Sequence, residues 1–330
     1  GSDVYLNAGS MFNALIYPLL HRPGLASPAS NVGKRIELRE AELTGSSALD
    51  INADWIDFAA AGCANGTELL LRTVELLQIV DLEKEVYETG LRRTINPAVR
   101  AELAGQLLNA RRLLRERISE RGLSKAVETF DRDAYIDNAS VAENILFGTP
   151  LSDALAIERL GGNDYMRHVI EAVGMTAEFL DRGKRLARIM TDIFRGLEAG
   201  HEFFERFSFI RAEDLPTFEA ILRRSEVEGM ERLAPAERSR LIELPFKLIA
   251  AQHALGLIDD SFKKGILAAR KVFARDLPTE LKTAVQFFDV DAYNAATTVI
   301  DNVVFGKVAT SKAGLTRALN DLVSEVLSLS

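Results

Sequence analysis

The strongest constraint in this 330-residue chain is a sixteen-residue pattern that occurs three times, over Asp3–Pro18, Asp133–Gly148 and Asp291–Gly306. Each copy opens on an aspartate (Asp3, Asp133, Asp291), carries a tyrosine two residues on (Tyr5, Tyr135, Tyr293) and reaches a hydroxyl residue, Ser10, Ser140 or Thr298. A hydroxyl just before an apolar-periodic run predicts a helix start, because its oxygen accepts one of the N–H groups that the first turn leaves unpaired. Three residues later Glu143 and Asp301 can return a bond to the cap or favour the positive helix end, whereas Asn13 holds that place in the first copy. Met11, Leu15 and Ile16, then Val141, Ile145 and Leu146, then Val299, Val303 and Val304, lay an apolar stripe along about two turns. Gly148 and Gly306 are expected to stop the helix in a left-handed conformation, and Pro18 by refusing to continue it. Isolated helices below roughly 12 residues barely form in water, so each copy must dock on something.

At these residues the chain resembles a family. ATP-binding subunits of ABC exporters carry, at and after their Q-loop glutamine, the pattern Gln-Asp-x-Phe/Tyr-Leu-x-x-Gly-Ser/Thr-Ile/Val-x-Glu-Asn-Ile-x-Phe/Tyr-Gly. The first copy is similar to its front half through Asp3, Tyr5, Leu6, Gly9 and Ser10. The second is similar to its back half through Ser140, Val141, Glu143, Asn144, Ile145, Phe147 and Gly148. The third, with Ala295-Ala296-Thr297-Thr298, is the least family-like. Arg132 and Val290 stand where copies two and three would carry the glutamine, and Gly1-Ser2 ahead of Asp3 reads as the remnant of an expression tag.

The resemblance implies an all-helical region lying between the Q-loop and the signature motif of a subunit that couples ATP binding to movement of membrane helices. Its partners would be the transmembrane domain and the remainder of the ATP-binding subunit, with a homodimer formed through the parent. It would sit in the cytoplasm, peripheral to the inner membrane. ATP and magnesium belong to that parent, and no cofactor is expected in this chain. The tyrosines are candidate anchors, or pack inside their own repeats; Asn144, Phe147, Asn302 and Phe305 complete the candidate docking and capping set.

The chemistry of an ATPase is absent from the residues themselves. No Gly-x-x-x-x-Gly-Lys-Ser/Thr loop occurs to cradle phosphates, no signature-like segment, and no apolar strand ending in Asp-Glu to hold magnesium. His201-Glu202-Phe203-Phe204-Glu205 lacks the second histidine of a zinc helix. Asp131, Asp133 and Asp137 are out of register with a calcium loop and read as capping residues. The formal charge of −8 argues against a nucleic-acid backbone as partner, and the run Arg111-Arg112-Leu113-Leu114-Arg115-Glu116-Arg117 reads as a solvated helix face. A single cysteine, Cys63, excludes an internal disulfide and reads as a buried thiol among small neighbours. Phe203, Phe204, Phe207 and Phe209 read as core, and no window approaches the roughly 18 apolar residues of a membrane span.

Helical spacing dominates elsewhere, and alternating strand patterns are scarce. The expected fold is mainly α, an irregular multi-helix array built from degenerate repeats of a helical subdomain. The expected divisions are 1–128, 129–288 and 289–330, the last a truncated third repeat. Asn96-Pro97 is expected to start a helix ending at Gly122, and Pro235 one that runs through Leu255 with a kink at Pro245. Two other readings remain open: a stand-alone helical protein-interaction scaffold, and a ligand-sensing regulatory domain with an apolar pocket.

Overall fold

The apolar spacing is realised as helix nearly throughout. The computed structural model describes residues 10–20, 32–47, 55–194, 209–309 and 313–329, and over these the chain is mainly α-helical with short strands. Its packing separates Gly1–Gly90 from Leu91–Ser330. The divisions expected after residues 128 and 288 both fall inside the second unit.

In the first unit Ser10 caps α1 (Met11–Ile16), its Oγ accepting the Asn13 N–H at 3.1 Å, and Pro18 sits in the 3-10 turn Tyr17–Leu19 that follows. Helix α2 spans Val32–Thr44. Helix α3 (Gly66–Ile79) begins where the Asn65 side chain accepts from Thr67 and Glu68, and α4 covers Glu83–Leu91. Only one narrow face of α3 is covered: Leu69 and Leu77 are buried, while Leu70, Leu71, Val74 and Ile79 are exposed. Cys63 is half-buried rather than sealed in a core.

The second unit runs α5 (Ala101–Glu120), β1 (Val127–Thr129), α6 (Val141–Leu146), β2 (Gly148–Pro150), α7 (Asp164–Ala172) and α8 (Thr176–Phe194). It continues with α9 (Leu215–Val227), α10 (Pro235–Glu243), α11 (Asp260–Arg275), β3 (Val285–Phe287), α12 (Val299–Val304), β4 (Gly306–Val308) and α13 (Ala313–Leu329). Two helix boundaries differ from expectation. Asn96–Val99 forms a turn ahead of α5, and the helix from Pro235 ends at Glu243 instead of kinking. Pro245 has no N–H to return to Leu241, so the chain tightens into the 3-10 turn Leu244–Lys247 and leaves.

Two large apolar cores result among the described residues, with a third, small cluster of Ile136, Ala139 and Phe147. The larger gathers α6 with α7, α8, α9, α10 and α11; the smaller gathers α5, α12 and α13. Strands join them crosswise, β1 antiparallel to β4 and β2 to β3, with Thr129 opposite Gly306 and Phe287 opposite Gly148. The strand before each complete cassette therefore pairs with the strand after the other.

This crossing explains the two glycines differently from the expectation. The left-handed residues are Phe147 (φ 41°) and Phe305 (φ 44°), one position earlier, while Gly148 and Gly306 begin strands. A Cβ on Gly148 would lie 2.7 Å from the Gln286 carbonyl oxygen, and one on Gly306 2.5 Å from that of Glu128. These glycines permit close strand approach. Gly148→Ala is expected to lower stability by about 2 kcal/mol, read as a shifted urea midpoint. Gly148→Asn, which a left-handed helix stop would tolerate, should fare no better; an Asn variant of native stability contradicts the strand-approach account.

Candidate functional site

The second and third cassettes share one set of bonds. Ser140 Oγ accepts the Glu143 N–H at 3.2 Å while Glu143 Oε2 accepts the Ser140 N–H at 2.7 Å, a complete capping box. Thr298 Oγ1 accepts the Asp301 N–H at 3.2 Å, but aspartate is one methylene short, and its carboxylate takes the Thr298 hydroxyl at 2.6 Å instead of the backbone. The next N–H of each first turn is met from a distant part of the chain: Val141 donates to Leu248 O and Val299 to Arg93 O, both at 2.9 Å.

Inside each helix a buried asparagine holds the preceding loop. Asn144 Oδ1 accepts the Ile136 N–H at 2.9 Å and its Nδ2 donates back to Ile136 O at 2.9 Å. Asn302 does the same with Asn294, at 2.8 Å each way. Glu128, ahead of the second cassette, adds a further tie by accepting the Asp137 and Asn138 N–H groups at 2.7 Å.

Two arginines complete the arrangement, each supplied from the other cassette's long leading helix. Arg270 on α11 donates through Nε to Asn144 O at 2.7 Å, and through Nη1 to the carbonyls of Asp131, Arg132 and Ala134 at 3.1, 2.8 and 2.9 Å. Its Nη2 donates to Asn144 Oδ1 at 2.9 Å. Arg111 on α5 repeats this on the third cassette: Asn302 O at 2.7 Å, then Asp289, Val290 and Ala292 carbonyls at 3.2, 2.6 and 3.1 Å, then Asn302 Oδ1 at 3.3 Å. The reading of Arg111 as part of a solvated face is therefore wrong for that residue, which is fully buried. Burial pulls both guanidinium groups down to about 10, so both remain cationic at neutral pH, held by carbonyl dipoles at a helix C-terminus.

Each guanidinium also lies over the left-handed phenylalanine, Arg270 over Phe147 at 4.4 Å and Arg111 over Phe305 at 4.3 Å. Backbone bonds tie the cassettes reciprocally, Phe130 N–H to Phe305 O and Phe288 N–H to Phe147 O, both 3.0 Å. Between them the Phe130 and Phe288 rings stack at 4.1 Å with planes 6° apart, and Phe147 and Phe305 meet that stack edge-on.

The remaining candidate residues divide by depth. Tyr293 is buried in the smaller core and Tyr135 half-buried against the larger, 5.4 Å from Lys263 Nζ. Both phenol oxygens are buried, the arrangement of tyrosines that pack inside their own repeats, and that burial pushes both phenols up. Asp133 and Asp291 are exposed; Asp133 pairs with Lys271 at 3.3 Å. Asp131 accepts the Asp133 N–H at 2.8 Å, the capping role expected of it. Glu143, besides its cap, meets Lys307 at 2.6 Å. Asp3 and Tyr5 lie outside the described residues, as do His201, Glu205, Phe203, Phe204 and Phe207. Phe209 is half-buried and packs edge-on against His253.

No group of three or more His, Cys, Asp or Glu side chains converges to hold a metal among the described residues. No helix there is long and apolar enough to cross a membrane. No family model, curated protein or solved structure matches the chain.

Two tests follow from this geometry. Arg270→Lys keeps the charge but loses the planar fork, leaving buried carbonyls unpaired; a loss of about 3 kcal/mol in chemical denaturation is expected, and a near-neutral result would reject the clamp. Burial pushes the Glu143 carboxyl up, but the Lys307 ammonium and the Ser140 N–H outweigh it and hold it below the usual 4.5. Its stabilising effect is thus present above that value and lost as pH falls through the lowered folded value. Glu143→Gln should flatten this acid limb in a Tm-versus-pH series while leaving the limb above pH 7 unchanged.

Proposed function

We propose that this chain is a non-catalytic helical region of an ABC-transporter ATP-binding subunit, and that it docks on the transmembrane domain through its first cassette. The observation that carries the reading is a difference between equivalent residues. Val141 and Ile145 are 0% exposed and Val299 and Val303 are 8% and 0%, because α11 and α5 cover them. Met11 and Leu15, at the same places on α1, are 46% and 45% exposed. Cassettes two and three are occupied by each other, whereas the first, which carries the front half of the exporter-like pattern, keeps an apolar face to offer.

In this reading the partners are the cytoplasmic ends of the membrane helices and the remainder of the ATP-binding subunit, with a homodimer arising through the parent. The location is the cytoplasmic side of the inner membrane, and ATP and magnesium bind elsewhere in the parent. A stand-alone protein-interaction scaffold is the second reading. It is favoured by α3, whose Leu70, Leu71, Val74 and Ile79 are all exposed.

The discriminating experiment is ATP-driven transport by the parent in proteoliposomes. Leu15→Glu places a charge in the docking face and should lower transport about tenfold while ATP binding persists; Leu71→Glu should leave it intact. Wild-type transport by the Leu15 variant would sink the docking role, and the reverse ranking would favour the scaffold. ATP titrated into this chain alone should give no saturable signal.

A further inference from the structure

The reciprocal bonding of the two cassettes identifies which residues the fold needs twice, and by subtraction those it does not. Where the Phe130–Phe288 stack meets solvent there is a cleft of about 700 Å³, within the roughly 300–1,000 Å³ of small-molecule sites. Its apolar wall is aromatic, with Phe130, Phe147, Phe288 and Phe305 all lining it. These rings are equivalent in pairs and belong to the structural framework.

The cations beside them are not paired in this way. Because Arg111 and Arg270 make the same bonds, Arg115 one turn on corresponds to Ala274, and Arg132 in the same loop position corresponds to Val290. All four line the cleft. The earlier half thus carries both arginines where the later half does without, so neither guanidinium is required to build the loop or helix it stands on. Among the described residues no carboxylate pairs with either. Arg115 lies 5.7 Å from the Phe305 centroid.

The cleft's charged lining is Arg115, Arg132, Arg270 and Lys271 against Asp131 and Asp289, a cationic excess in a chain of formal charge −8. The two aspartates already accept turn N–H groups, Asp133 at 2.8 Å and Asp291 at 2.9 Å. Lys271 is engaged by Asp133, and Arg270 by carbonyls. Among the described residues, no ion pair or side-chain hydrogen bond engages the guanidinium of Arg115 or Arg132, and both stand beside an aromatic wall. Rings favour flat aromatic neighbours in offset or edge contact, and an unpaired guanidinium favours a carboxylate, sulfonate or phosphate oxygen.

From this we infer that the cleft is a binding site for a small aromatic anion, its ring system against the phenylalanines and its acidic group between Arg115 and Arg132. The site is independent of the docking role proposed above.

The test uses the whole chain and the fluorescent probe 1-anilinonaphthalene-8-sulfonate. Saturable enhancement is expected, reversed by 2-naphthoate but not by inorganic phosphate or neutral 2-naphthalenemethanol at equal concentration. Arg115→Ala and Arg132→Val install the residues that the other half carries at the same places, so the fold already accommodates them. Together they should weaken the probe about tenfold or more, with Arg238→Ala, at an exposed position elsewhere, as control. Unaltered circular dichroism checks folding. Probe affinity within twofold of the parent chain in the double variant would overturn the site, assigning the dye to exposed apolar side chains such as those of α3. Equal displacement by phosphate, or by the neutral alcohol, would overturn the aromatic-anion assignment. If the double variant loses its native circular dichroism, the decision passes to Arg132→Val alone, where no loss of affinity rejects the proposal.

Discussion

The second unit depends on two guanidinium groups buried among carbonyl oxygens. Each closes the C-terminal end of a six-residue helix, grips three carbonyls of the loop that leads into it and covers the phenylalanine that leaves it. A six-residue helix has too few internal bonds to persist, and its last-turn carbonyls have no intrahelical partner. The arginine supplies both deficits at once, and the asparagine beneath it fixes the same loop from the other side. Removing a charge so placed leaves a cage of unsatisfied oxygens; its burial is tolerable because carbonyls engage the donors and because Asp131 and Asp133 near Arg270, and Asp289 and Asp291 near Arg111, favour the charged form.

The long-range character of that interaction determines the architecture. Arg270 reaches back 126 to 139 residues and Arg111 forward 178 to 191. Neither cassette is complete with its own leading helix, so the two halves interlock: helix from one, short capped helix from the other, strands paired crosswise and phenylalanines stacked between. The left-handed backbone of Phe147 and Phe305 is a strain of order 1 kcal/mol that this packing maintains, because the turn aims each ring beneath its cation. Function in this unit is thereby separated from framework. Residues that recur in both halves carry the framework, whereas Arg115 and Arg132 stand where the other half carries Ala274 and Val290.

Much of the local structure was legible beforehand for a plain reason. Ser140, Thr298 and Ser10 cap their helices as expected, since a hydroxyl and an N–H two or three residues away meet whatever the rest of the chain does. The candidate set also contained Asn144, Asn302, Phe147 and Phe305, through the family-like pattern, but did not separate docking from capping among them. Burial gives them an inward structural role. Arg111 was missed because nothing in Arg111-Arg112-Leu113-Leu114-Arg115 distinguishes the buried arginine from the half-buried one a turn later. The only signal was that an arginine stands at comparable distance before each of two cassettes, and charge spacing alone does not separate that from a solvated stripe. Three-residue strands carry too little alternation to read.

What the sequence determined by itself is where helices begin, which of them are too short to stand alone, and that a helical class would result; these follow from bonds made within a turn or two. Only the tertiary structure decided that Gly148 and Gly306 admit a neighbouring strand, that Phe147 and Phe305 turn left-handed, and that two cassettes occupy one another while Met11 and Leu15 stay uncovered. Those outcomes depend on which distant segment arrives at a given face. Burial is a property of that encounter, and no local pattern encodes it.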